Sequence, residues 1–172
     1  TESLGGELVD SNHLVIPTLC HSFGLTLGDL YEETRVFKQD TFYFEGRILG
    51  DLEIVEAFTP VANKMLMAVA ASEGTDAASV AEFERIDALS IPEWLQTEAL
   101  LAPSTVIRRL LEVAYLEEYG LEVGEQSAWN LIFLIDYEEP DPFRVFGDSD
   151  ERYHIHQGND ALPSAIGARL ED

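Results

Sequence analysis

The chain has 172 residues, with 46% hydrophobic and 25% charged side chains, which is enough to bury one core of ordinary domain size and excludes a disordered acidic tail. Its formal net charge is −23, with two lysines, Lys38 and Lys64, beside eight arginines. A field of that sign repels nucleic acid and anionic membranes, and it attracts cationic ligands such as amines or leaves an acidic solvated surface.

No unbroken run of about 18 apolar residues is present, so no transmembrane helix is expected. The start, Thr1-Glu2-Ser3-Leu4-Gly5-Gly6, has neither a basic nor an apolar signal region and no initiating Met, which reads as a processed or cut chain. The lone Cys20 excludes an intrachain disulfide and fits a reducing, cytoplasmic setting.

In chain order, 4–10 reads as a turn or strand end. Asp10 or Ser11 is then expected to cap a helix running to about Ser22, stopped by Gly24, with Pro17 tolerable only in its first turn. Segment 41–50 reads as strand, Glu45-Gly46 turn and strand, with Phe42 and Phe44 on one face and Tyr43 on the other. Asp51 is expected to cap a long helix to about Ser72, kinked at Pro60. A short helix capped by Thr75 or Asp76 runs to about Arg85. Ser90-Ile91-Pro92-Glu93 carries a capping-box start for a helix that buries Trp94 and Leu95.

Ser104 opens the next helix, with Val106, Ile107, Leu110, Leu111, Val113 and Ala114 as its apolar set, closed at Tyr119-Gly120. Ser127 to Ile135 is nearly all apolar and reads as a buried helix in preference to a buried strand. Segment 136–151, with two prolines and seven acids, is a loop with one short extended piece and the best linker candidate, though no clean internal boundary is visible. Residues 152–158 read as a strand ending in a turn, and Asn159 to Leu170 as a helix with Pro163 early in it. The fold class is α+β, mostly helical, with a small β-sheet or hairpin element.

Three stretches carry a resemblance. They are Gly5-Gly6-Glu7-Leu8-Val9-Asp10-Ser11-Asn12-His13 with Leu19 and Phe23-Gly24-Leu25; Leu111–Tyr115, Glu118-Tyr119-Gly120 and Gln126–Leu131; and Glu151-Arg152-Tyr153-His154-Ile155-His156-Gln157-Gly158-Asn159-Asp160-Ala161-Leu162-Pro163. In order and spacing the chain resembles the flavin-containing amine oxidases, above all bacterial members. That resemblance implies an oxidoreductase, a flavoprotein that removes a hydride from the C–H beside an amine. It makes 1–172 the helical substrate-binding region, with 1–10 and 152–172 as edges leading to an FAD-binding domain outside this chain.

By the same carry-over, Gly5, Gly6, Glu7 and Leu8 lie against the flavin; a plain tight turn is the other reading. Phe42, Tyr43, Phe44, Trp129 and Asn130 are candidate substrate-pocket residues, Trp129 also reading as a core tryptophan. No catalytic residue is assigned. No G-x-G-x-x-G loop is present, so this chain alone is not expected to hold FAD. The partners implied are the FAD-binding domain and an amine or amino-acid substrate, with no nucleic acid and no membrane. A homodimer is a further expectation, since a piece parted from its cofactor domain exposes apolar surface or pairs to cover it.

His154 and His156 share a strand face and, with Asp148 or Asp150, raise zinc binding, but with no firm third ligand no metal site is assigned. Cys20 reads as a structural thiol. The alternative function is a self-contained acidic helical module that binds a basic partner.

Overall fold

The computed structural model describes residues 6–38 and 40–170. The chain divides into two compact units. One is built from the two ends, up to Asp40 and from Asp148 onward; the other is Thr41–Gly147. The second crossing between them falls inside the acidic stretch 136–151.

The unit built from the ends holds β1 (Leu8–Val9), α1 (Val15–Ser22), β2 (Leu27–Asp29), α2 (Leu30–Glu33), β5 (Tyr153–Ile155) and α8 (Ala161–Leu170). Its sheet has the order β1-β5-β2, antiparallel throughout. The register pairs Leu8 with His154 and Val9 with Tyr153 on one side, and Leu27 with Ile155, Gly28 with His154 and Asp29 with Tyr153 on the other. The expected N-caps of α1 are corrected. Its N-cap is Leu14, with no side-chain bond. Asp10 and Ser11 instead bind the segment before β5, where Ser149, Asp150 and Glu151 supply partners. Pro17 accordingly falls in the first turn, where its missing N–H costs nothing. Gly24, at φ +70, ends the helix as expected.

The unit 41–147 is helical apart from the hairpin β3 (Tyr43–Phe44) and β4 (Arg47–Ile48). Its helices are α3 (Asp51–Ser72), α4 (Ala77–Asp87), α5 (Ile91–Thr97), α6 (Val106–Tyr119) and α7 (Ala128–Leu134), with one 3-10 turn at Val123–Glu125. Glu45 and Gly46 take the positive φ values that a two-residue hairpin turn demands. Asp76 caps α4 by accepting from the Ala78 and Ser79 N–H groups at 2.9 and 3.2 Å. Ser90 and Glu93 form the capping box of α5. The cap of α3 is Gly50, not Asp51, and that of α6 is Thr105, not Ser104. Gly120 closes α6 in the left-handed conformation, at φ +57.

The core of this unit is a single cluster: Phe58, Val61 and Met65 of α3, Trp94 and Leu95 of α5, Leu111 and Tyr115 of α6, and Leu131 and Ile132 of α7. Val113, expected in the apolar set of α6, is 51% exposed, because its position turns away from that cluster. The helix α3 continues through Pro60. At 22 residues, with a mean hydropathy of 1.3 over its most apolar window, α3 has the length and composition of a membrane span. The expectation of no transmembrane helix rested on an unbroken apolar run, which α3 lacks. Its Ile54, Phe58, Val61, Ala62 and Met65 stripe packs into the unit's own core, as a core helix does. Two buried polar groups lock α6 to its neighbours. Tyr115 places its hydroxyl at 3.2 and 3.1 Å from the carbonyls of Leu131 and Val145. Gln126 donates to the carbonyls of Tyr115 and Leu121. Burial pushes the Tyr115 hydroxyl far above the usual phenol range.

Candidate functional site

The polar side chains of the end-built unit gather around β5. Asp29, the last residue of β2, caps α2 by accepting from Tyr31 and Glu32. The same carboxylate takes the Arg152 guanidinium, with Nε at 3.1 Å and Nη2 at 2.6 Å. The guanidinium stands over the Tyr31 and Tyr153 rings, at 5.3 and 5.2 Å from their centroids. The hydrogen bond from Arg152, opposed by partial desolvation, holds the Asp29 carboxyl below its usual range.

Asp150 accepts from the Ser11 backbone N–H at 2.8 Å and from the Ser11 hydroxyl, and its carbonyl accepts from Tyr31 Oη at 3.0 Å. Desolvation raises its carboxyl, but the Ser11 bonds outweigh it and leave the pKa lowered. Asp10 completes the set, accepting from the Ser149 hydroxyl at 3.0 Å and the Glu151 N–H at 2.7 Å.

The depressed Asp29 and Asp150 carboxylates fix the sign of the acid response. The stability they contribute is fully present above the unfolded carboxylate range, near ~4, and is lost as pH falls through their lower folded values. Acidification below that range is expected to release the ends from β5. The measurement is amide hydrogen exchange across 153–155 against pH. Asp29→Asn, which removes the ionising group, is expected to flatten that dependence.

Gly28 sits opposite His154 in the ladder. A Cβ there would lie 2.4 Å from His154 Nε2, 2.8 Å from His156 Cε1 and 2.9 Å from Glu33 Oε1, so the two imidazoles and the carboxylate occupy the space a side chain would need. His154 and His156 meet edge to face, with centroids 4.9 Å apart. The acid facing His154 is Glu33, at 3.9 Å, while Asp150 is held by Ser11. Among the described residues, no group of three or more His, Cys, Asp or Glu is placed to hold a metal ion.

Of the expected flavin-contacting residues, Gly5 lies outside the described residues. Gly6 and Glu7 are exposed, and Leu8 is half-buried in β1. Gly6 has φ +58, and a Cβ on it would meet nothing within 4 Å. Its glycine identity answers to backbone conformation, and its open side leaves room for another body to approach. Asn159, at the turn after β5, donates its side-chain amide to the Gly6 carbonyl.

The five candidate pocket residues all belong to the other unit, and the structure does not gather them: Phe42 and Trp129 sit in two separate aromatic groups and the other three in neither. Phe42 packs edge-on against Phe143 at 5.7 Å, and Phe143 in turn against Phe58 at 5.0 Å. Phe44 is half-buried beneath the Arg109 guanidinium, and Tyr43 is 65% exposed, as the hairpin alternation predicts. Trp129 is a core residue: it is buried, stacks on Phe83 at 4.9 Å and Phe133 at 4.7 Å, and donates Nε1–H to the Phe83 carbonyl. Asn130 is half-buried, and its carbonyl accepts from Tyr119 Oη at 3.3 Å.

A cavity of about 30 Å³, lined by Leu49, Glu53, Ile54, Ala57, Val106, Ile107 and Leu110, contains none of the five. It has room for a water-sized group, far below the several hundred Å³ of a small-molecule site (~300 Å³ and up). Cys20 is buried and its thiol is pushed up by desolvation, as befits a structural thiol.

Sequence reasoning missed β2, α2 and the Asp29–Arg152 pair. Asp29 before Leu30-Tyr31-Glu32-Glu33 is a legible N-cap signal, but nothing local announces its second partner. Compared with known proteins, the chain matches no family model, and no curated protein matches it.

Proposed function

We propose that this chain is a substrate-domain part of an FAD-dependent amine oxidase, in which an amine or amino acid loses hydride to flavin and leaves as an imine. The observation that carries the reading is the antiparallel pairing of β1 with β5. The amine oxidase resemblance requires the glycine stretch near the start and the strand near the end to come together on their way to a cofactor domain, and Leu8 pairs with His154 across that ladder. The division of the chain supports the same reading, with one unit from the two ends and a helical unit from the segment between them.

The residues present fit a supporting role toward FAD. Gly6 offers a surface free of side chain, open on the side a Cβ would fill. The cofactor supplies the redox chemistry; the protein's part is to orient the amine, exclude water and shape the wall against the ring. The acidic field, at −23 overall, favours the approach of a cationic amine.

The test is to express the complete reading frame that contains this segment. The expected product is yellow, with a flavin spectrum that bleaches on anaerobic addition of an amine or amino acid. The present chain alone is expected to take up no FAD. A colourless complete protein, with no flavin after reconstitution, ends the proposal. If that colourless protein retained polycations on a column, the acidic binding module would replace it.

A further inference from the structure

Gly6 lies two residues outside the ladder, whose last pair is Leu8 with His154. It is a left-handed glycine with open space where a Cβ would project, so neither a ladder bond nor side-chain packing at that position restrains it. The side chain that reaches it comes from the far end of the chain: the Asn159 amide donates to the Gly6 carbonyl. Asn159 is itself well anchored. It follows Gly158, at φ +92, whose N–H donates to the Ile155 carbonyl at 2.9 Å, and the next turn is closed by the Ala161 N–H on the Gly158 carbonyl at 3.1 Å. The turn is thus fastened to the last residue of β5 and to the start of α8, and it holds Asn159 half-buried.

We infer that Asn159 is a positioning residue: its amide fixes the Gly6 peptide as the wall against which flavin and amine are aligned. The inference rests on the amine oxidase reading, since it gives the Gly6–Asn159 tie a purpose in that reaction. A tethered peptide keeps the reacting atoms in register. An untethered glycine samples many conformations, and displacements of the order of 1 Å cost large factors in rate.

The experiment uses the complete flavin-loaded protein and compares Asn159→Asp, similar in size but without the N–H donor, with Asn159→Gln, which keeps it. Flavin content is read first, on the unsubstituted protein. Asn159→Asp is expected to slow flavin reduction at saturating amine by about tenfold or more, with flavin content and thermal midpoint unchanged. Asn159→Gln is expected to recover the rate to within about threefold of the unsubstituted protein.

Reduction by Asn159→Asp at the unsubstituted rate overturns the inference and leaves the amine oxidase reading standing. So does a variant whose flavin content and midpoint fall in step with its rate, because the tie is then merely structural. An unsubstituted protein without flavin overturns the reading and the inference together.

Discussion

Gly147→Ala is expected to lower the stability of the helical unit more than any other single methyl addition among the described glycines. Gly147 has φ +58, and a Cβ built on it would lie 2.2 Å from the Leu134 carbonyl oxygen. The atom it meets is backbone and an alanine Cβ has no rotamer to change, so no side-chain motion relieves it. Two costs combine: about 1–2 kcal/mol for a left-handed L-residue, and about 1–3 kcal/mol for forcing packed atoms apart. At Gly120, also left-handed at φ +57, a Cβ meets nothing, so alanine there carries the first cost alone. Thermal or denaturant midpoints of the two variants check this directly. Equal losses at both positions would show that the contact with Leu134 is unimportant.

Phe58→Ala is expected to cost about 3–5 kcal/mol, the range for emptying a buried aromatic site. Phe58 is fully buried in the middle of α3, against Phe143 at 5.0 Å. The helix is held by Val61 and Met65 on the same stripe, so the neighbours cannot collapse freely into the hole. Phe133→Ala is the control. That ring is 63% exposed and ends the aromatic group on Trp129, so its loss is expected to fall within about 1.5 kcal/mol, the value of one aromatic pair beyond burial. Linear extrapolation of denaturant melts for both variants, followed by tryptophan fluorescence, measures the contrast.

The helical unit was largely legible in advance. Its boundaries are written in contacts between residues three or four apart. Ser90 with Glu93 starts α5, Asp76 caps α4, and Gly120 ends α6. The errors there are one-residue shifts of a cap, at Gly50 and Thr105, and Val113, which was placed in the apolar set of α6 but is exposed. The candidate site was less legible. Phe42, Tyr43, Phe44, Trp129 and Asn130 were grouped by type, but aromatic character alone does not distinguish a ring that lines a pocket from one that fills a core. Trp129 found its partners in Phe83 and Phe133 through the packing of α4 on α7, which sequence spacing does not encode.

What the sequence determined by itself is therefore local: the α+β, mostly helical class, the helix ends of the unit 41–147 to within about a turn, and the hairpin at Glu45-Gly46. These depend on backbone propensity and on hydrogen bonds closed within one turn, so nearby residues suffice to specify them. The tertiary structure decided the rest. Arg152 meets Asp29 across 123 positions, and Asn159 meets Gly6 across 153. The strand at 152–158 was legible, but its partners were not, because residues that distant leave no period in the sequence. Only the folded ladder brings those side chains within bonding distance.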